Sequence, residues 1–132
     1  MIFLYWDIVR EGVPRRVPLI PLTVHGPHKS VQVLALVDSG AEHSVFGTDL
    51  VDRLELSLDA AIPVGVVGVG EHEIGGHLIS LQLQLGSYRW SAPAIFTPGV
   101  QQRAVLGQAG LFAFFNVTFR YRRGEIEIRR AR

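Results

Sequence analysis

The residues best equipped for chemistry sit in one short stretch, Asp38-Ser39-Gly40-Ala41, directly after the apolar run Leu34-Ala35-Leu36-Val37. A carboxylate at the end of a buried strand is costly unless it is hydrogen-bonded, paired or kept protonated. Asp38 therefore has an unusual environment or a chemical task, and acid–base work is the task that suits a carboxyl. Taken alone, Asp-Ser-Gly is also ordinary turn chemistry, so its surroundings must decide. A second group, His72-Glu73-Ile74-Gly75-Gly76-His77, has metal-binding residue types. A zinc hydrolase of the His-Glu-x-x-His kind needs two histidines four apart on one helical face. Here they are five apart and Gly75-Gly76 opposes a helix, so they read as polar residues of a glycine-rich hairpin. His43 reads as a surface-loop histidine. Gly68-x-Gly70 opens no predicted helix with dinucleotide spacing, which rejects a Rossmann fingerprint. No metal and no cofactor is expected.

The elements that must position Asp38 are mostly strands. Ile2–Val9 and Val17–Val24 read as a hairpin turned by Arg10–Pro14, with Pro18 and Pro21 marking the second strand as an edge or a bulge. Val31–Val37 alternates at first and then turns wholly apolar, the pattern of a strand entering the core. Thr48 is placed to cap a short helix over Asp49–Leu54, with acids in its first turn. Ile62–Val67 is a β-branched run leading into five glycines, Gly65, Gly68, Gly70, Gly75 and Gly76. Ile79–Leu85 alternates apolar and polar, and Tyr88–Phe96 follows after the turn Gly86-Ser87. Ala104-Val105-Leu106 is a short apolar strand ending on Gly107, then comes a short helix through Ala109–Phe112. A last hairpin pairs Asn116–Tyr121 with Glu125–Arg129 around Arg122-Arg123-Gly124. The sum is a mainly β fold, a closed or nearly closed antiparallel β-barrel with one or two short helices.

The chain has 132 residues, 48% hydrophobic and 19% charged, which fits a single domain spanning residues 1–132 with its own core. Net charge is +1, so no polyanion is called for. Arginines crowd the end of the chain, at positions 120, 122, 123, 129, 130 and 132, and read as solvated strand faces rather than a nucleic-acid site. There is no cysteine, consistent with a reducing compartment. The apolar opening Met1–Trp6 is too short for a signal peptide or a membrane span. The expectation is a cytoplasmic protein with no membrane and no nucleic-acid partner.

Three features recur in a telling order: a strand ending in Asp38-Ser39-Gly40-Ala41, a glycine-rich hairpin Val66-Val67-Gly68-Val69-Gly70, and an apolar strand ending in Val105-Leu106-Gly107 before a short helix. This order resembles the retropepsin-like aspartic proteases, from about Pro18 to the end of the chain. The resemblance implies a β-barrel of that type, with Asp38 as the catalytic aspartate. Ser39 matches the hydroxyl that locks two active-site loops across a dimer, and Gly40 and Ala41 the small residues that let those loops approach. Val67, Gly68, Val69 and Gly70 match the tip of a flap that closes over a bound peptide, and Leu106-Gly107 the element supporting the catalytic loop. Val45, Val67, Val69, Ile74, Ile95 and Val105 are candidate pocket walls. Peptide hydrolysis of this kind needs two carboxyls sharing one proton, one as base toward water and one as acid toward the carbonyl oxygen. The chain holds a single such triplet, so a symmetric homodimer must supply the second Asp38. The implied function is an aspartic endopeptidase acting on extended polypeptides; the alternative is a non-catalytic peptide-binding or dimerisation module. Where retroviral members carry an acid–arginine pair near the dimer interface, this chain has Glu42 and Gln108, for which a weaker hydrogen bond is expected.

Overall fold

The computed structural model describes residues 1–67, 70, 72–100 and 104–132. Its strands are β1 (Ile2–Leu4), β2 (Trp6–Arg10), β3 (Val13–Val17), β4 (Leu19–His25), β5 (Ser30–Val37), β6 (Ser44–Gly47), β7 (Ile62–Val67), β8 (Glu73–Leu85), β9 (Tyr88–Thr97), β10 (Ala104–Leu106), β11 (Phe115–Arg120) and β12 (Glu125–Arg130). One α-helix, α1 (Asp49–Arg53), follows β6; a π-helical turn (Gln108–Phe112) follows β10. The fold is mainly β, as the alternation and turn chemistry imply.

Six strands form a hydrogen-bonded ring in the order β4-β5-β10-β6-β9-β8, closed by β8 pairing back onto β4 at Thr23–His25. Most pairs are antiparallel, but β10 runs parallel to β5 and β6 parallel to β9. The ring encloses Ile20, Leu22 and Val24 from β4, Leu81, Leu83 and Leu85 from β8, and the Phe46–Phe96 ring pair at 5.9 Å. Each of these three-residue sets is spaced by two, because successive side chains of a strand point to opposite faces. At the closing seam His25 fastens β4 to both neighbours: Nε2 lies 2.6 Å from Gln84 Oε1 and Nδ1 2.6 Å from Ser30 Oγ.

The N-terminal segment departs from the single hairpin that its composition suggests. β1 pairs with β12, not with β4, in a separate sheet of order β1-β12-β11. The hairpin is instead β2–β3, turned at Glu11 and Gly12, which both have positive φ (54° and 76°). Pro18 separates β3 from β4. Pro21 is tolerated because β8 reaches β4 only from Thr23 onward, so the missing N–H at Pro21 faces no partner strand. The arm is held by Arg16, whose Nε donates to Asp7 at 3.2 Å and whose Nη1 donates to the carbonyl of Tyr121 at 2.7 Å. At α1, Thr48 already has helical backbone angles and makes no side-chain capping bond, contrary to its sequence signature.

Several of the C-terminal arginines are engaged. Glu127 Oε1 accepts from Arg120 at 2.8 Å, and Oε2 from Arg129 at 2.9 and 3.0 Å. The hydrogen bond from Arg120, and after it the one from Arg129, holds the Glu127 carboxyl below its usual value. A depressed carboxyl stabilises the fold fully above its unfolded value and loses that contribution as the pH falls through its folded one. Glu127→Gln is therefore expected to lower the melting temperature at neutral pH, with the gap to the parent closing in acid, as a pH series of thermal unfolding would show.

Candidate active site

The strand that dives into the core, β5, delivers Asp38 at its end, and β10 lies beside it in parallel register, Val37 opposite Leu106. The two chain segments then cross and lock through main-chain hydrogen bonds. Asp38 N–H donates to Leu106 O at 3.0 Å, Gln108 N–H to Ala41 O at 2.8 Å, and Ala109 N–H to Glu42 O at 2.9 Å. Asp38 itself is half-buried, and its Oδ1 accepts the Gly40 N–H at 2.9 Å in a tight side-chain turn. The carboxyl is thus oriented by its own loop, and Ser39 and Gly40 beside it are exposed.

Glycine is required at 107 by close approach. A Cβ there would stand 2.5 Å from His43 O and 2.6 Å from Ala41 O, inside the very loop that carries Asp38. Gly110 is under the same constraint from Ser44, whose Oγ would collide with any added Cβ. Leu106-Gly107 thus lies against the loop Asp38–Ala41, and all six residues are brought together.

Three contributors have only faint sequence signals. Ser44 is fully buried and its Oγ accepts the Gly107 N–H at 3.1 Å, satisfying a donor that the crossing leaves without a strand partner. A lone hydroxyl in the apolar run Ser44-Val45-Phe46 is the only hint of it. Trp90 Nε1 donates to Gly110 O at 2.8 Å, pinning the π-helical turn to β9. Thr97 Oγ1 donates to Gly75 O at 3.0 Å, tying β9 to the strand that leaves the glycine-rich hairpin.

Glu42 and Gln108 do not join side chain to side chain. Gln108 Nε2 donates instead to Ser39 O at 2.6 Å, and the Glu42 side chain is 88% exposed with Oε1 3.9 Å from His43 Nε2. The amide is neutral and short, so it serves the adjacent carbonyl rather than a distant acid. Gln108 therefore braces the Asp38 loop from within the same chain.

Beside Asp38 lies a cleft of about 470 Å³ lined by Gly40, Ala41, Glu42, His43, Val45, Gly65, Val66, Val67 and Ile95. Of the expected walls, Val45, Val67 and Ile95 are present; Ile74 and Val105 are not, the former turning toward Gly99 and the latter seated in β10 between β5 and β6. β7 and β8 pair from Ile62↔Leu78 to Val67↔Glu73, forming an arm whose Gly65, Val66 and Val67 line this cleft. Val67 is exposed at its end and Gly70 has φ +102°, open to glycine alone; Gly68 and Val69 lie outside the described residues. From Glu73 onward the histidine-bearing stretch is strand, so His72 and His77 do not share a helical face.

A family model described as aspartyl protease matches residues 20–109. No curated protein sequence matches. Among solved structures, a retropepsin-like aspartic protease from Rickettsia conorii is similar at TM-score 0.63 and 14% identity, over 96% of this chain and 95% of that one. The retroviral protease-like domain of Ddi1 from Leishmania major gives 0.60 and 17%, over 85% and 87%. EIAV protease complexed with the inhibitor HBY-793 gives 0.55 and 17%, over 70% and 82%. At such identities the likeness carries the fold, which is the retropepsin one.

Removing the Ser44 hydroxyl leaves the buried Gly107 N–H without an acceptor. Ser44→Ala is expected to cost about 1–3 kcal/mol in urea unfolding and to speed amide exchange at Gly107. Unchanged exchange there would remove Ser44 from the support of the loop.

Proposed function

The chain belongs to the aspartyl protease family, and from that membership we propose that it is an endopeptidase whose active form is a homodimer with one Asp38 from each copy. The observation that carries this is the locked crossing of the Asp38 loop and Gly107. Main-chain hydrogen bonds among Asp38, Ala41, Glu42, Leu106, Gln108 and Ala109 hold one carboxyl beside a cleft lined in part by Val45, Val66, Val67 and Ile95. Two such carboxyls facing across a two-fold axis share one proton. The ionised one takes a proton from water as that water attacks the peptide carbonyl, and the protonated one donates to the carbonyl oxygen.

The exposure of Ser39 and Gly40 supports a second copy covering them, with the Ser39 hydroxyl bonding across the axis. Ile2 and Leu4 of β1, 60% and 70% exposed, offer further apolar area for contact between copies. Substrate binds extended between the Asp38 loop and the β7–β8 arm, whose glycines bring main-chain groups close to it and whose closure excludes water. Val45, Val66, Val67 and Ile95 favour apolar residues flanking the scissile bond. His43 and Glu42 stand on the same wall.

The test is cleavage of a mixed peptide library at acid to neutral pH. The parent is expected to cut peptides in a manner blocked by a statine-type inhibitor, and Asp38→Asn to lose at least about a thousandfold in kcat with its fold and dimer intact. Cleavage that survives Asp38→Asn contradicts the mechanism. A folded dimer that binds peptides and cuts none of them assigns the domain to peptide binding instead.

A further inference from the structure

Away from Asp38, a second cleft of about 520 Å³ opens between the Gly26-Pro27 turn, the Leu56-Ser57 segment and strands β8 and β9. It shares no residue with the cleft beside Asp38. It is lined by the apolar residues Pro27, Leu56, Ile79 and Leu81 and by three residues with side-chain donors, Arg89, Ser57 and Ser80. A concavity that combines apolar lining with a few polar donors, at a volume within the ordinary range of ligand sites, is the form a small-molecule site takes.

Two of the donors are oriented by neighbouring groups. Arg89 Nη2 is steadied by Gln82 Oε1 at 3.1 Å, a neutral acceptor that orients the guanidinium without cancelling its charge. Ser57 Oγ accepts the Asp59 N–H at 3.2 Å, which leaves its own O–H to donate. His25 on the wall is held at both ring nitrogens by Ser30 and Gln84, so it is a fixed surface rather than a swinging ligand. Among the described residues no carboxylate lines the cleft, and the acid preceding Leu56, Glu55, is paired with Lys29 at 3.6 Å.

We propose that this cleft binds a monocarboxylate carried on a small apolar body. One guanidinium balances one negative charge, and its remaining N–H groups with two hydroxyls match the lone pairs of a carboxylate better than the double charge of a phosphate. Two sources present that chemistry: a free short-chain acid, and the C-terminal carboxylate of a peptide ending in an apolar residue. The site stands independently of the protease mechanism, because Arg89, Ser57 and Ser80 take no part in it.

The experiment titrates hexanoate, N-acetyl-leucine and N-acetyl-leucine amide into the full chain, in parent and Asp38→Asn form, following amide and Arg89 side-chain signals by NMR. Both carboxylates are expected to shift Ser57, Ser80 and Arg89, with N-acetyl-leucine amide weaker by about tenfold or more, and equally so in Asp38→Asn. Tighter binding of N-acetyl-leucine than hexanoate identifies a peptide terminus as the ligand, and the reverse order a free acid. Arg89→Gln is expected to bring the carboxylates down to the affinity of the amide while the fold persists. Equal binding of acid and amide, shifts centred elsewhere, no shift at millimolar ligand, or an Arg89→Gln variant that binds as the parent does would each overturn the proposal.

Discussion

Everything in this fold that bears on chemistry depends on one lock: the loop Asp38–Glu42 threaded against the turn Leu106–Ala109. A loop that fixes a half-buried carboxylate cannot leave its own buried peptide groups unsatisfied, since each orphaned group is costly. Here Leu106, Ala41 and Glu42 carbonyls take the donors of Asp38, Gln108 and Ala109, and Ser44 takes that of Gly107. The close approach this needs is what excludes any side chain at 107 and 110. The π-helical turn over Gln108–Phe112, an uncommon backbone form that gathers at functional sites, is the way the chain leaves the lock.

The lock explains why the ring of strands mixes parallel and antiparallel pairs. β10 must enter beside β5 in the same direction for Leu106 to reach Asp38, and β6, leaving the Asp38 loop, must pass on the other side of β10. A simple meander would keep sequence neighbours paired and could not interlace two loops. The arm β7–β8 and the β1-β12-β11 sheet are attached to this frame without interrupting it. What the single chain presents is a rigid loop with an exposed small-residue surface beside its carboxyl.

Much of this was legible from the residues. The alternation of Ile79–Leu85, the apolar end of Val31–Val37 and the glycine after Val105-Leu106 encode local, periodic facts, and each emerges where its pattern places it. Pairings between distant segments carry no local pattern, so β1 finding β12, and the separate β2–β3 hairpin, were not visible. Polar braces were hidden for a related reason. The partner of Gln108 is a main-chain carbonyl at Ser39, and that of Ser44 a main-chain amide, and any residue type supplies those. The Thr48 signature failed because the backbone before α1 is already helical, leaving its hydroxyl no donor to meet.

The central claim is that the lock presents half of a dyad. Mixing parent with Asp38→Asn protein, under conditions where subunits exchange, tests it most directly. If each active site needs an Asp38 from two copies, activity follows the square of the parent fraction, so an equal mixture retains about a quarter of the parent activity. Activity falling in simple proportion, to about half, would mean that each copy works alone and would contradict the account.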